Sequence, residues 1–365
     1  MIKVLVVDDS ALVRKLFSRV LADDAEFKVA LARNGLEALA QLETFQPDVI
    51  TLDVQMPQMD GLQCLDRIMV QRPCPVLMVS TVTREGAEAT LEALRLGAVD
   101  FIPKPTGAVS LQMQEFAPVF TEKVRAAAGA RVPAARRLRE RVQFRSGGAA
   151  YPPCTKTRST GVDAPERSLA GDGLVLVGTS TGGPPALEAL LVPLPATFSW
   201  PILIAQHMPA GFTGPLARRL AKLCALQVLE AAQPIRLEAG CVYIGRGDAD
   251  LVVSKRPSGL VAMPVPSNPG YPWHPSTDRL VRSALDHLPA SQLLGVLMTG
   301  MGNDGAEAMT TLRARGGITI AEAEETAVVW GMPGELVRAG GAAHVLPLPM
   351  IAHRLQQLIP HASRP

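Results

Sequence analysis

Side chains suited to phosphoryl and metal chemistry follow short apolar runs near the start of the sequence. Asp8 and Asp9 follow one run, Asp53 follows another, and Ser80 and Lys104 follow two more. We interpret each run as a strand of a parallel sheet, and the carboxyl ends of such strands meet at one edge. The five polar groups are therefore expected to converge there.

Three carboxylates placed together repel one another, and a cation relieves that repulsion. Ligation by oxygen alone suits Mg²⁺, so Asp8, Asp9 and Asp53 are the predicted metal ligands. The ion would accept one phosphoryl oxygen, and the Ser80 hydroxyl and the Lys104 ammonium could bind the others. Any one acidic residue at a strand end could be ordinary loop solvation, but the whole set in this order indicates a magnesium-dependent phosphoryl site.

A second reactive set begins at Ser180. The segment GTSTGG, residues 178–183, lies between a predicted strand and a predicted helix, so the Ser180 hydroxyl should leave a tight turn beside a helix N-terminus. Such a turn suits a nucleophile, and it suits a phosphate-binding loop equally well, because glycines and free amides also hold anions. The turn by itself leaves both interpretations open.

A serine nucleophile needs a general base, and the base needs an acid to orient it. His207 in AQHMP follows a predicted buried strand, and Asp304 in TGMGNDG follows another. His207 alone could be a structural histidine, but three strand ends that supply Ser180, His207 and Asp304 favour acyl transfer. The remaining histidines are expected on the surface or at helix caps: His274, His287, His344, His353 and His361.

The elements that must position both sets alternate between β-branched apolar runs and amphipathic stretches, which predicts parallel sheets with helices on both faces. A length of 365 residues suits two domains. Residues 123–171 are rich in Ala, Arg, Pro, Ser and Gly and predict a mobile linker. We therefore expect one domain over residues 1–122 and a second over residues 172–360.

The amino-acid composition is typical of a globular protein. Hydrophobic residues make up 47%, charged residues 19%, and the net charge is only +2, so nothing favours nucleic acid or an anionic membrane as a partner. The sequence lacks both a membrane span of roughly 18 apolar residues and a signal peptide, and we expect a cytoplasmic protein. The 5 cysteines form no CxxC pair, which indicates reduced thiols.

The motifs VVDDS, LDVQMPQMDG, VST and DFIPKP resemble a response-regulator receiver domain. The resemblance implies a flavodoxin-like fold in which Asp53 accepts a phosphoryl group, with Mg²⁺ bound and with Ser80 and Lys104 as phosphoryl contacts. It also implies that Phe101 is a switching aromatic, although Phe101 could equally be a core residue of the fifth strand. The backbone carbonyl of Gln55 is a further possible metal ligand from its position.

The motifs GTSTGG, QHMP, HPSTDRL and TGMGNDG, placed behind a receiver, resemble the chemotaxis-type protein-glutamate methylesterases, the CheB family. The chain order Ser180, His207, Asp304 differs from that of α/β-hydrolases, in which the acid precedes the histidine. The resemblance implies a doubly wound, Rossmann-like catalytic domain. It also implies that the Met301 N–H stabilises the oxyanion and that Thr181 helps to orient the histidine.

The activity implied is hydrolysis of γ-glutamyl methyl esters on the cytoplasmic region of chemoreceptors, often with deamidation of glutamine. This chemistry requires no metal or organic cofactor. The implied phosphoryl donor is the histidine kinase of a chemosensory array. An unphosphorylated receiver would cover the active site, and phosphorylation of Asp53 would loosen that contact.

Two other functions remain as alternatives. A signalling adaptor without activity would not need Ser180, His207 and Asp304 together. A nucleotide-dependent enzyme would use GTSTGG as an anion loop, but no lysine follows that loop. The sequence departs from the family's usual pattern at Gln55, Gln58 and Pro103. These departures bear on the lifetime of the phosphorylated state or on docking, and not on the catalytic groups.

Overall fold

The structure is a computed structural model that describes residues 1–105, 109–131 and 172–359. Most of the expected linker, residues 132–171, lies outside the described residues. Among the described residues, no helix combines the length and the apolar character needed to cross a bilayer.

The first sheet has five parallel strands in the order β2-β1-β3-β4-β5. They are β1 (Ile2–Val7), β2 (Phe27–Ala32), β3 (Val49–Asp53), β4 (Val76–Ser80) and β5 (Asp100–Pro103). Strands β3 and β4 are buried along their whole length, because helices cover both faces of the sheet. This order is the expected flavodoxin-like arrangement, and its direction of winding reverses between β1 and β3.

Five helices accompany this sheet: α1 (Ala11–Ala22), α2 (Gly35–Thr44), α3 (Gly61–Gln71), α4 (Arg84–Leu96) and α5 (Val109–Ala128). Four of them begin at a polar cap whose side chain accepts a backbone N–H of the first turn: Ser10, Asn34, Asp60 and Thr83. Helix α5 continues to Ala128, past the domain boundary expected at residue 122.

The second sheet has seven parallel strands in the order β15-β14-β13-β6-β7-β10-β8. They are β6 (Leu174–Thr179), β7 (Ile202–Gln206), β8 (Gln227–Ala231), β10 (Cys241–Gly245), β13 (Leu293–Leu297), β14 (Ile318–Glu322) and β15 (His344–Leu346). The chain winds outward from β6 through β7 and then returns to β13 on the other side. The reversal therefore lies at β6, which is where ligand sites form in open α/β sheets.

The helices around this sheet are α6 (Gly183–Leu191), α7 (Ala210–Leu223), α8 (Thr277–Leu285), α9 (Ala306–Ala314), α10 (Met332–Arg338) and α11 (Leu348–Leu358), with a short 3₁₀ turn over Ala290–Gln292. Helix α6 is apolar on most of its surface and buries Leu187, Leu190 and Leu191. The expected doubly wound α/β fold is confirmed.

A third sheet was not predicted from the sequence. Strands β9 (Ile235–Arg236), β11 (Ala249–Arg256) and β12 (Gly259–Pro266) form an antiparallel sheet in the order β11-β12-β9. A two-residue turn joins β11 to β12, and Gly259 behind it has φ +116, a conformation that favours glycine. After β12 the chain enters α8 through residues 267–276.

The two domains pack against each other along α4, β5, α6 and α7. The Phe101 ring in β5 lies 4.3 Å, centroid to centroid, from the Phe212 ring in α7. Arg219 in α7 pairs with Glu92 in α4 at 3.3 Å and with Glu188 in α6 at 2.6 Å. The receiver therefore covers part of the second domain beside its first helix.

Candidate active site and phosphorylation site

Ser180 follows the central strand β6 in a turn that only glycines can complete. Gly182, the N-cap of α6, has φ +78, and a Cβ added to Gly183 would lie 1.9 Å from the side-chain oxygen of Gln206. The Ser180 N–H donates to the Thr299 carbonyl at 2.9 Å, which ties the turn to the segment after β13. The hydroxyl is thereby presented at the reversal point of the sheet.

His207 follows β7 and forms a hydrogen bond of 2.8 Å from Nε2 to Asp304 Oδ2. The two side chains are only 6% and 5% exposed. Nδ1 is buried and has no hydrogen-bond partner among the described residues. It is therefore the ring nitrogen left to accept a proton.

Asp304 lies in the loop between β13 and α9, directly at the N-terminus of α8. Its carboxylate accepts hydrogen bonds from Ser276 Oγ at 2.9 Å, Thr277 N at 2.6 Å and Asp278 N at 3.1 Å. Burial alone would raise the pKa of Asp304, but the bonds from His207 and from these backbone groups outweigh it and hold the pKa below its ordinary value. The acid is therefore ionised and fixed in place.

The loop that carries Met301 runs directly against the serine. A Cβ added to Gly300 would lie 2.8 Å from Ser180 Cβ, so the backbone can approach this closely only as glycine. Within the described part of the chain, no hydrogen bond uses the Met301 N–H. Beneath the loop, the buried Glu322 carboxylate accepts the Thr299 N–H at 2.8 Å and holds the start of this segment.

Thr181 makes a contact with the receiver that was not predicted from the sequence. Its hydroxyl donates to Asp100 Oδ2 of the receiver at 2.6 Å, and the side chain is buried. This bond is a contact between the two domains at the residue next to Ser180. The sequence alone could not show this contact, because it depends on the approach of β5 to α6.

The predicted acidic cluster converges as expected at the carboxyl ends of β1 and β3. Asp8, Asp9 and Asp53 offer oxygens that lie within 4.8 Å of one another. Lys104 Nζ lies 3.0 Å from Asp8 and 2.8 Å from Asp53. This all-oxygen set of closely spaced carboxylates fits Mg²⁺, which would offset their mutual repulsion.

Burial raises the pKa of Asp53 to about 6, and the neighbouring Asp8 charge adds to the rise although Lys104 opposes it. Burial lowers the pKa of Lys104, but its bonds to Asp53 and Asp8 outweigh burial and leave that pKa raised. Asp53 is thus a buried carboxylate whose charge is costly without a further cation.

The remaining two receiver residues have contacts of their own. Ser80 Oγ donates to the Gly86 carbonyl at 3.1 Å, in the first turn of α4. Phe101 is buried, and its ring packs against the ring of Phe212 in the other domain as well as against the receiver core. Both residues therefore connect the acidic cluster to surfaces that face the second domain.

Sequence reasoning missed several supporting residues. Gln206 Nε2 donates to the carbonyls of both Ser180, at 3.0 Å, and His207, at 3.1 Å, and so bridges the two strand ends. Ser276 and Thr277 hold Asp304, and Asp100 holds Thr181. The motif HPSTDRL contains a helix-start signal that could have identified Ser276; no comparable local signal exists for Gln206 or Asp100.

Two family models match the chain. The model described as "Response regulator receiver domain" matches residues 4–114, and "CheB methylesterase" matches residues 175–355. Ser180, His207, Met301 and Asp304 all lie within the second match.

Relatives match over nearly the whole length. A protein-glutamate methylesterase/protein-glutamine glutaminase 2 from Rhodopseudomonas palustris is 56% identical over 96% of this chain and 96% of its own. A protein-glutamate methylesterase/protein-glutamine glutaminase 3 from Rhodospirillum rubrum is 52% identical over 97% of this chain and 95% of its own. The crystal structure of the Thermotoga maritima CheB methylesterase catalytic domain is 35% identical, with a TM-score of 0.50, and covers 52% of this chain and 100% of that one.

Proposed function

The chain belongs to the CheB methylesterase family, and from that premise we propose that it is a phosphorylation-regulated protein-glutamate methylesterase and glutaminase of a chemosensory system. The observation that carries the proposal is the 2.8 Å hydrogen bond between His207 and Asp304 at the sheet edge where Ser180 begins its turn. Residues 1–122 would form the receiver, 123–171 the linker and 172–360 the catalytic domain.

In the proposed mechanism Ser180 Oγ attacks the γ-carbonyl carbon of a glutamyl methyl ester while His207 Nδ1 takes its proton. Asp304 is ionised and holds Nε2–H, so Nδ1 is free to act as the base. The imidazolium returns the proton to the leaving oxygen, and methanol departs. Water, deprotonated by the same ring, then attacks the acyl group and releases glutamate.

The Met301 N–H would donate to the oxyanion that forms at each attack. Support for this role comes from the close approach of Gly300 to Ser180, which brings the next N–H near the reacting carbon. A glutamine side chain would follow the same path with ammonia as the leaving group. Thr181 could assist His207 only after its bond to Asp100 is released.

Regulation would begin at Asp53. Mg²⁺, when bound by Asp8, Asp9 and Asp53, would neutralise charge on an incoming phosphoryl group. The Ser80 hydroxyl would leave the Gly86 carbonyl and bind a phosphoryl oxygen. The Lys104 ammonium would leave the Asp8 and Asp53 carboxylates and bind a second phosphoryl oxygen. Both residues lie beside elements that contact the second domain, so their movement would loosen the receiver from α6 and α7.

The proposed partners are methyl-accepting chemoreceptors, as substrates, and the histidine kinase of their array, as phosphoryl donor. Receptor methylation sites of this kind lie in the cytoplasm, so the proposed location of the protein is cytoplasmic. Neither partnership involves nucleic acid or insertion into a membrane.

The test is to incubate the full-length protein with methylated receptor cytoplasmic fragments, with and without a small acyl phosphate and Mg²⁺, and to measure methanol. We expect release that rises with the phosphoryl donor, no release by Ser180→Ala, and no stimulation of Asp53→Asn. An absence of methanol from several receptor fragments under both conditions would contradict the proposal.

A further inference from the structure

Trp273 contacts both the catalytic base and the loop of the oxyanion donor. Its indole lies nearly parallel to the His207 imidazole, with ring centroids 5.7 Å apart and an interplanar angle of 11°. On the other loop, a Cβ added to Gly302 would lie 3.3 Å from Trp273 Nε1. Trp273 is therefore a wall of the site, although it belongs to none of the catalytic groups named above.

The segment that carries Trp273 is held firmly on its C-terminal side by Asp250. This buried carboxylate accepts bonds from His274 Nδ1 at 2.9 Å, from the Ser276 N–H at 2.7 Å and from Arg279 Nη1. Burial would raise the pKa of Asp250, but these bonds outweigh it and lower the pKa, so the anchor is charged. The position of the indole is thus fixed before substrate arrives.

The indole ring of Trp273 lies where it can stabilise a positive charge on His207. The imidazole becomes a cation each time it takes the Ser180 proton, and its side chain is only 6% exposed, so water contributes little to stabilising that charge. The face of an indole attracts a cation within about 6 Å of the ring centroid, and the attraction is stronger at a desolvated site. The attraction acts on the charged form, which the proposed mechanism generates as His207 takes the Ser180 proton.

We propose that Trp273 is a positioning residue for the proposed acyl transfer: it fixes the plane of the His207 imidazole and stabilises the imidazolium. The inference rests on the proposed function, because it takes His207 as the proton acceptor. It assigns Trp273 an effect on the chemical step rather than on receptor binding.

The experiment compares Trp273→Phe with Trp273→Leu in the full-length protein. Methanol release is measured against receptor-fragment concentration with saturating acyl phosphate and Mg²⁺, so that kcat and KM separate. We expect Trp273→Phe to retain kcat within about threefold and Trp273→Leu to lose about tenfold, equivalent to about 1.4 kcal/mol, with KM unchanged in both. Tyr271→Leu is the control, since that ring lies against Arg279 and not against His207.

Other outcomes overturn the proposal. Equal losses in the Phe and Leu variants would mean that the ring only fills space or that its indole N–H is required. A rise in KM without a change in kcat would make Trp273 a receptor-binding residue instead.

A second measurement needs no substrate. In protein labelled at histidine, the His207 Cε1–H signal, identified by its loss in His207→Gln, should shift in Trp273→Leu because the ring current of the indole is removed. An unchanged signal would overturn the stacking itself. Suppose instead that the signal shifts in Trp273→Leu as expected while the wild-type protein releases no methanol. That combination would confirm the stacking and contradict the proposed function.

Discussion

Thr181 Oγ1 donates a 2.6 Å hydrogen bond to Asp100 Oδ2, and this bond joins the residue beside Ser180 to the last strand of the receiver. The same carboxylate oxygen accepts from Lys123 Nζ at 2.6 Å. Because Thr181 is buried, little water competes for its hydroxyl. The receiver thus reaches within one residue of the nucleophile.

Removing this bond should activate the unphosphorylated protein. A hydrogen bond to a charged group contributes about 1.5 kcal/mol, so Asp100→Ala should raise methanol release without phosphoryl donor by about tenfold. The measurement is the ratio of rates with and without donor, which should fall towards one in the variant.

Glu324→Ala provides the matched control, because it removes a different contact with the receiver side of the chain. Arg131 and Glu324 pair at 2.8 Å but both side chains are 55% exposed, so loss of this pair should change the rate less than twofold. If Asp100→Ala were as inactive as unphosphorylated wild type, the bond to Thr181 could not be what holds the enzyme back.

Asp304→Asn should lower kcat by about a thousandfold or more, since an amide no longer fixes the imidazole tautomer that leaves Nδ1 free to take a proton. The KM for receptor fragment should change little. The side chain keeps its shape, and an amide oxygen at the Oδ1 position can still accept from Ser276 Oγ and the Asp278 N–H, so the fold should survive. Circular dichroism would check this, and a variant that retained a tenth of wild-type kcat would remove Asp304 from the mechanism.

The sequence predicted the elements whose signal is local. The runs before Asp53, Ser180 and Asp304 are short, apolar and followed by polar or glycine-rich turns, and each became a parallel strand whose last residues lie at the functional edge. The convergence of the carboxylates followed from topology alone, because parallel strands share one edge.

What the sequence could not predict depends on how distant segments meet. Thr181 binds Asp100 only because two separately folded sheets pack together, and no pattern around either residue encodes that packing. Trp273 lies on His207 because Asp250, well before it in the chain, anchors its loop. The antiparallel hairpin of β11 and β12 does have a local signal, the turn before Gly259, but the predicted set of parallel strands does not include it.

Asp53→Asn should stabilise the receiver in the absence of Mg²⁺. Folding raises the pKa of Asp53 from 3.8 to about 6, so its charge costs the folded state free energy above pH 6, by up to about 3 kcal/mol. Below about pH 4 the carboxyl is protonated in both states and the cost disappears. The variant should therefore melt at higher temperature than wild type at pH 7.5 in EDTA, with the difference shrinking as the pH falls from 6 towards 4.

Added Mg²⁺ supplies the internal control for this prediction. The ion should raise the melting temperature of wild type more than that of Asp53→Asn, because it offsets a charge that the variant lacks. Equal melting temperatures of the two proteins at pH 7.5 in EDTA would show that Lys104 already compensates the Asp53 charge.

Gln206→Met should disturb catalysis and stability together. Methionine keeps nearly the volume of glutamine but cannot donate, so the carbonyls of Ser180 and His207 both lose their shared partner in a buried setting. An unsatisfied buried group lowers the free energy of unfolding by about 1–3 kcal/mol. A less well defined distance between the nucleophile and the base lowers kcat, here by about tenfold to a hundredfold. Gln41→Met, which removes a bond to the Leu31 carbonyl on the receiver surface, should leave kcat unchanged. If Gln206→Met lost stability but kept wild-type kcat, the bridge would support the fold without setting the distance between Ser180 and His207.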